Sequence, residues 1–150
     1  MNRKDAMLDI LKVDHVGIRI RDRGRSVAFY GQLGFELVAD AGFDDGHPVI
    51  LRHPSGLVLN LLGPSTVDKD ENILMDVDAR YAGYTHIALQ VSSLDQTEAT
   101  LRELGIEITG GFEFKGMRAV FIRDPDRNVI ELDHHGGARG ESGDGYSAHP

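Results

Sequence analysis

The chain has 150 residues, and its 24 acidic and 16 basic residues give a formal net charge of -8. This length suits one compact domain with its own apolar core, and the acidic balance argues against nucleic acid as a partner. The absence of cysteine excludes disulfide bonds, thiolate metal ligands and cysteine nucleophiles. The chain start lacks a signal-peptide pattern and no long uncharged apolar run follows, so we expect a cytoplasmic protein without a membrane partner.

The first half of the chain predicts one β-strand, one α-helix and three further β-strands. After an N-terminal extension (1–12), residues 13–20 alternate in the strand period, with His15 on the more polar face. A helix is predicted over 25–32 and ends at Gly34, where a left-handed cap suits glycine. Extended segments follow at 36–39, 49–53 and 57–62, the last two joined by a Pro-Ser-Gly turn. The first module therefore covers about 13–62 and has the order βαβββ.

The second half predicts the same order over about 84–133. A polar connection (63–83), with a short helix expected near 73–80, separates it from the first module. A strand around His86 precedes a helix over 95–104, which Asp95 is expected to cap, and strands are predicted at 107–109, 119–123 and 128–133. The single domain then spans 13–135, and the glycine-rich segment 136–150 is expected to be a flexible tail.

The two halves are copies of one another at a constant offset of 71 residues, with no gap. The match includes His15 with His86, LGFE with LGIE, RHP with RDP, and Asn60 with Glu131. A duplicated unit that cannot bury its own apolar face packs on its copy, so equivalent residues are expected near one pseudo-two-fold axis. The repeat therefore predicts one domain built from two paired modules.

Four polar residues occupy equivalent positions on the predicted strands: His15, His86, Asn60 and Glu131. Two neutral imidazoles and one carboxylate suit Fe(II), Mn(II), Zn(II), Ni(II) or Co(II), and three protein ligands leave positions open for substrate. The alternative is that the histidines are ordinary hydrogen-bonded strand residues and that the face carrying Glu131 is solvated. The shared offset favours the metal site.

The segments HVGIRI, RSVAFYGQLGFEL, HPSGLVLNLL, THIALQV, LRELGIEI and FIRDPDRNVIEL resemble the vicinal oxygen chelate superfamily. That superfamily includes glyoxalase I, methylmalonyl-CoA epimerase, fosfomycin-modifying thiol transferases, extradiol dioxygenases and bleomycin-resistance proteins. The resemblance implies an α+β fold in which two paired βαβββ modules enclose one cleft with curved mixed sheets. It also implies metal ligands at His15, His86 and Glu131, and a homodimer that acts on a small molecule.

Asn60 departs from the glyoxalase I pattern, which has a glutamate at this position. The resemblance implies an open site of two histidines and one glutamate, in which one divalent metal chelates adjacent oxygens of the substrate and either Glu131 or metal-bound hydroxide moves protons. We favour a metal-dependent lyase or isomerase of the lactoylglutathione lyase type, for which glutathione is a candidate cosubstrate. Which metal and which substrate are bound stays open, as does whether the paired modules belong to one chain or two.

Three alternatives remain within the superfamily. An extradiol dioxygenase fits the open site, although Phe121 stands where such enzymes usually carry tyrosine. A fosfomycin-type thiol transferase would need cationic groups around its substrate, and Arg19, Arg118 and Arg123 are candidates. Bleomycin-resistance proteins bind a drug without metal. The substrate-binding candidates are thus Asn60, Arg19, Arg118, Phe121 and Arg123, whereas His47, His53, His134 and His135 are expected to be loop or surface residues.

Overall fold

A computed structural model of the chain describes residues 7–136 and the backbone of Asp144 and Gly145. The first module consists of β1 (Val16–Arg19), α1 (Arg23–Gln32), β2 (Glu36–Asp40), β3 (Val49–Arg52) and β4 (Val58–Leu62), with a short 3-10 helix over Phe43–Asp45. Its strands form sheet A in the order β1-β4-β3-β2. Only the β1–β4 pair is parallel, so sheet A is mixed.

The second module repeats this arrangement with β5 (His86–Gln90), α2 (Leu94–Glu103), β6 (Gly110–Phe114), β7 (Met117–Arg123) and β8 (Val129–His134). Sheet B has the order β5-β8-β7-β6-β9, where β9 is the two-residue strand Asp144–Gly145. The β5–β8 pair is parallel, as β1–β4 is in sheet A. The predicted α+β fold of two βαβββ modules with mixed sheets is therefore confirmed.

Both helices begin at a side-chain cap and contain ten residues. The carboxylate of Asp22 accepts a 2.7 Å hydrogen bond from the backbone N–H of Arg25, and the hydroxyl of Ser93 accepts one of 3.2 Å from that of Gln96. Such caps satisfy backbone donors that the first helical turn leaves free. The cap of α2 is thus Ser93, and the expectation that Asp95 caps it was wrong by two positions, because Asp95 already lies in the first turn. Neither helix is long and apolar enough to cross a membrane.

The strand alternation separates an apolar face from a more polar face on each sheet. In sheet A, Val49, Leu51, Leu59 and Leu61 are almost fully buried. Their counterparts in sheet B include Val120, Ile122, Ile130 and Leu132, and all eight belong to one continuous core that also includes Tyr30 of α1 and Leu101 of α2. Burial of this apolar surface is the main favourable contribution to folding, and it leaves the side chains of His15 and His86 exposed.

The duplication is weakest around β6. The helices α1 and α2 are related by the full offset of 71 residues, whereas β6 begins at Gly110, three positions later than the offset from β2 would give. The strand expected at 107–109 is consequently absent there, and 73–80 forms turns and bends instead of a helix. Of the tail expected to be flexible, Asp144–Gly145 pairs with the end of β6, and its remaining residues after Gly136 lie outside the described part.

Candidate metal centre on the polar sheet faces

His86 and Glu131 lie on one face of sheet B. Glu131 of β8 stands directly beside Ala88 of β5, two residues from His86, and strand alternation directs His86 and Ala88 to the same side. On its other flank, Glu131 is paired with Phe121 of β7. The rings of Phe121 and His86 meet edge to face, with centroids 6.3 Å apart. The second module therefore brings together two of the three predicted metal ligands and the predicted substrate-binding phenylalanine.

Glu131 shares its face with a second buried carboxyl group, that of Asp133, and each residue is only 8% exposed. Burial, together with a hydrogen bond and charge repulsion from Asp133, raises the pKa of Glu131 well above its usual range. The Oδ1 atom of Asp133 has no hydrogen-bond partner in the described part of the chain. Two adjacent buried carboxyl groups are costly without a cation nearby, so this environment fits a divalent metal held by Glu131.

His15 and Asn60 lie on the polar face of sheet A. His15 immediately precedes β1, and its side chain is 45% exposed. Asn60 of β4 stands beside Gly17 on one flank and Ile50 on the other, and alternation gives His15 and Gly17 the same orientation. The first module therefore presents His15 and Asn60 as the counterparts of His86 and Glu131.

Each histidine is anchored by the side chain of the residue before it. The Nδ1 atom of His15 lies 2.6 Å from Oδ1 of Asp14, and Nδ1 of His86 lies 2.8 Å from Oγ1 of Thr85. Metal-binding histidines commonly hold one ring nitrogen in such a hydrogen bond, which orients the other nitrogen toward the ion. Both Nε2 atoms thus remain available for a metal. Sequence reasoning overlooked these anchors, although the offset of 71 residues already relates Asp14 to Thr85.

Within residues 7–136, no three His, Asp or Glu side chains lie close enough together to hold one metal ion. Within one chain, His86 and Glu131 thus lie on the same face of sheet B, and His15 does not join them in a three-ligand cluster. The strands that present the two histidines, β1 and β5, are both at the edges of their sheets. Both imidazoles are exposed, so each is accessible from outside the chain.

The arginines proposed to bind substrate occupy different environments. Arg118 is directed toward α2, where it lies 3.5 Å from Asp95, and the largely buried Arg123 forms a 3.0 Å ion pair with Asp76. Arg19, by contrast, is exposed on the polar face of sheet A and has no acidic partner among the described residues. Sequence reasoning missed Arg52, which is also exposed and unpaired in the described part, on the same face as Asn60. Its alternation with buried Leu51 could have identified it.

The four remaining histidines also differ in their surroundings. His47 and His135 are exposed, in agreement with the expectation of surface positions. His134 is the last residue of β8 and is partly buried. His53 lies in the β3–β4 loop, where a loop histidine was expected, and it also lines a cavity that residues of α2 border.

Two βαβββ modules with mixed sheets and equivalent polar positions define a duplicated fold, and a comparison with protein families places the chain in a superfamily. Residues 12–132 match the family model of the Glyoxalase/Bleomycin resistance protein/Dioxygenase superfamily. The chain belongs to this superfamily. The match includes the first module, nearly all of the second and all four candidate ligand positions.

Solved structures share the fold at low sequence identity. A glyoxalase family protein from Enterococcus faecalis is 23% identical, with 81% of this chain and 96% of that chain covered and a TM-score of 0.67. A glyoxalase/dioxygenase from Nostoc punctiforme is 22% identical, covers 86% of this chain and 98% of its own, and has a TM-score of 0.65. The fosfomycin resistance protein FosX from Listeria monocytogenes is 19% identical, with coverages of 87% and 94% and a TM-score of 0.64. No curated protein matches the chain. Similarity at this level shows the fold and leaves the reaction open.

Proposed function

We propose that the protein is a metal-dependent enzyme of the glyoxalase type, a lyase or isomerase that binds adjacent oxygens of a small substrate. The observation that carries this proposal is that His86 and Glu131 lie on the same face of sheet B, with Glu131 paired with Ala88, two residues from His86. The imidazole is held through Nδ1 by Thr85, and the carboxyl group is buried beside Asp133. An imidazole and a carboxylate arranged in this way are suitable ligands for Fe, Mn, Zn, Ni or Co.

In this proposal His15, His86 and Glu131 would hold one divalent ion, and Asn60, the counterpart of Glu131 in the first module, would add no negative charge to the site. When bound, such an ion supplies Lewis-acid stabilisation of charge that develops on a substrate oxygen. Glu131 moves the substrate proton, because it has the only carboxylate among the four equivalent positions. Phe121, in contact with His86, excludes water on that side of the substrate.

The site requires His15 from one protomer and His86 with Glu131 from its partner, in a homodimer. Strands β1 and β5 are edge strands of their sheets, and large apolar side chains near both histidines are exposed. Val13, two residues before His15, is 70% exposed, and Tyr84, two residues before His86, is fully exposed. Large apolar side chains earlier in the chain are exposed as well: Met7, Leu8, Ile10 and Leu11. Exposed apolar surface next to a half-built site is typical of a subunit interface.

Metal content tests the proposal directly. Purified wild-type protein loaded with Mn(II) should hold about one ion per chain, whereas His86→Ala should lose it. The control is His47→Ala, which removes an exposed histidine of the first module and should retain the metal. Equal metal content in wild type and His86→Ala would contradict the proposal.

A mixing experiment tests the exchange of modules between chains. Neither His15→Ala nor His86→Ala alone should bind metal at the proposed site. When the two variants are unfolded together and refolded, a mixed dimer regains one site with both histidines if the site is shared between protomers. If each site were built within one chain, mixing would restore no metal binding, and the shared arrangement would be rejected.

The reaction class needs a separate comparison. Methylglyoxal with glutathione tests for a lyase, and a panel of catechols with Fe(II)-loaded protein and oxygen tests for a dioxygenase. Fosfomycin with a thiol tests for a transferase, which the unpaired Arg19 and Arg52 favour because a phosphonate is an anion. A yellow ring-fission product from a catechol would replace the lyase assignment by a dioxygenase. Drug binding by metal-free protein without turnover would instead identify a bleomycin-resistance type of binder.

A further inference from the structure

A cavity of about 510 Å³ lies between the two modules, at the side of α2. Its walls come from the end of α1, the β3–β4 turn, strand β5 and α2, and they are mostly apolar. Phe35, Leu57, Leu89, Leu101 and Leu104 provide much of this surface. The volume falls within the range of about 300–1,000 Å³ that is typical of small-molecule sites. None of His15, Asn60, His86 and Glu131 lines it, so the cavity is separate from the candidate metal centre.

The pseudo-two-fold axis relates this cavity to a much smaller one of about 190 Å³. The two share equivalent wall positions, and the decisive pair is Leu101 in the large cavity and Tyr30 in the small one. In the small cavity, the Tyr30 ring occupies the space between modules, and its hydroxyl donates a 2.7 Å hydrogen bond to Asp124. In the large cavity, leucine replaces this phenol, and Thr100 stands at the position equivalent to Phe29. Two aromatic rings of one half thus have no counterpart in the other.

His53 is the pseudo-symmetric counterpart of Asp124, and it presents a hydrogen-bond donor in place of an acceptor. The backbone N–H of Ser55 donates to Nδ1 of His53 over 3.0 Å, so the proton of the neutral imidazole is on Nε2. Within the described residues Nε2 has no hydrogen-bond partner. It lies so close to Gly34 that a Cβ atom added there would come within 3.1 Å of it. The ring also contacts Phe35, with centroids 5.1 Å apart.

We propose that this inter-module cavity is a second binding site, which takes a small aromatic molecule bearing an oxygen acceptor such as a carboxylate. The aromatic body occupies the space that Tyr30 fills in the other half, between Leu101 and Phe35. The acceptor oxygen takes the proton donated by Nε2 of His53. In the other half of the molecule, the ring of Tyr30 takes the place of the bound molecule. There its hydroxyl donates the hydrogen bond to Asp124, whereas the bound molecule would accept one from His53.

The probe for this site is 2-naphthoate, followed by its fluorescence and by calorimetry with metal-free protein. Wild-type protein should bind it, and Leu101→Tyr should lower the affinity at least tenfold, because the new ring occupies the cavity as Tyr30 does in the other half. Thr100→Phe, at an exposed helix position equivalent to Phe29, fills the mouth of the cavity and serves if Leu101→Tyr does not fold. Unchanged binding in a folded filling variant, or no binding by wild type, would overturn the proposal.

The role of His53 is tested with a change of probe charge. His53→Leu should weaken 2-naphthoate about tenfold, as expected for loss of a hydrogen bond to a charged group. It should leave binding of 1-naphthylmethylamine, which carries no acceptor oxygen, within a factor of two. His47→Leu is the matched control and should change neither. If both probes responded equally to His53→Leu, the hydrogen bond would be rejected.

The second site is distinguishable from the proposed enzyme activity. His86→Ala should lose metal but bind 2-naphthoate like wild type, whereas Leu101→Tyr should retain metal and lose the probe. Loss of 2-naphthoate binding in His86→Ala would place the probe at the metal centre and would contradict a separate site.

Discussion

The hydroxyl group of Tyr30 donates a 2.7 Å hydrogen bond to Oδ2 of Asp124, across the junction of the two modules. Both side chains are almost fully buried, at 2% and 3% exposure. Asn128 donates a second hydrogen bond to the same oxygen over 2.9 Å. Burial raises the pKa of Asp124, although the hydrogen bonds from Asn128 and Tyr30 oppose that shift. The contact therefore fixes how α1 of the first module sits on the β7–β8 turn of the second.

Tyr30→Phe should destabilise the protein by about 1–2 kcal/mol at pH 7, because it removes one donor from a buried carboxylate and keeps the ring. Since the pKa of Asp124 is raised on folding, the Asp124 contribution to stability is present below its unfolded pKa of about 3.9 and is lost as pH rises through its folded pKa. The hydrogen bond from Tyr30 lowers the pKa of Asp124, so its loss costs more as Asp124 ionises. The loss of unfolding free energy in Tyr30→Phe should therefore be larger at pH 7 than at pH 4. Urea unfolding at both values measures this, and Tyr81→Phe, at an exposed tyrosine, should be neutral.

Asp76→Asn should release the connection between the modules and cost about 2–3 kcal/mol at neutral pH. Asp76 accepts hydrogen bonds from Arg127 over 2.8 Å and from the backbone of Asn72 over 2.8 Å, and it is ion-paired with Arg123. Removal of the Asp76 charge leaves the positive charge of the largely buried Arg123 guanidinium with less negative charge nearby to neutralise it.

The pH dependence of this variant identifies the cause. Burial acts to raise the pKa of Asp76, but the hydrogen bonds from Arg127, Asn72 and Arg123 overcome it and hold the pKa well below its usual range. A depressed pKa contributes stability above the unfolded pKa of about 3.9 and loses it as pH falls toward the folded pKa. Thermal unfolding should thus converge for wild type and Asp76→Asn in strong acid. A difference that is constant with pH, or an equal effect of Asp78→Asn at an exposed neighbouring position, would argue against an electrostatic cause.

The periodicity and the repeat were sufficient to predict the order of elements and the faces that carry His15, His86 and Glu131. Alternation is a local property of each strand. It places Leu59 and Ile130 on the sheet faces opposite to those of Asn60 and Glu131, where both leucine and isoleucine are buried. The start of β6 could not be predicted, because Gly110 and Gly111 show no apolar alternation. Both glycines belong to the strand because they pair with Phe121 and Val120 of β7. The N-terminal cap of α2 was misassigned because both Ser93 and Asp95 are good capping residues.

Contacts between the modules also could not be predicted from sequence patterns. Nothing local distinguishes the partnered Arg123 from the exposed Arg19, since the difference depends on Asp76 of the distant connection. The same holds for His53, which lines a cavity together with residues of α2 in the other module. Pairing residues at the constant offset would have suggested the Leu101 and Tyr30 contrast, but not which of them faces a cavity.

Asn60→Glu should add a fourth ligand, which is the second carboxylate of the site, and so tighten Mn(II) binding about tenfold or more. In a lyase or isomerase site the added carboxylate should also raise isomerase activity, because it offers a second group for proton transfer. In a dioxygenase-like site it should lower activity by filling a position that the substrate needs. Metal titration with Asn60→Gln as the neutral, size-matched control checks the first effect. An unchanged Mn(II) affinity and unchanged activity would show that Asn60 does not face the metal.

Arg52→Gln and Arg19→Gln should each weaken the binding of a chelating dianion to the metal-loaded protein. Both arginines are exposed on the polar face of sheet A in a protein with a net charge of -8. Neither forms an ion pair with a described residue, although Glu36 is the cross-strand neighbour of Arg52. An anion that reaches the metal from this face would be attracted by the positive charges of both arginines. Each arginine is expected to raise the affinity about three- to tenfold. Calorimetric titration of Mn(II)-loaded protein with oxalate measures the effect, and raised salt should reduce the difference between wild type and variants. Arg80→Gln, at an exposed position of the connection, should bind oxalate like wild type. If all three variants weakened binding equally, general charge would explain the result and the assignment of Arg19 and Arg52 to the substrate would be withdrawn.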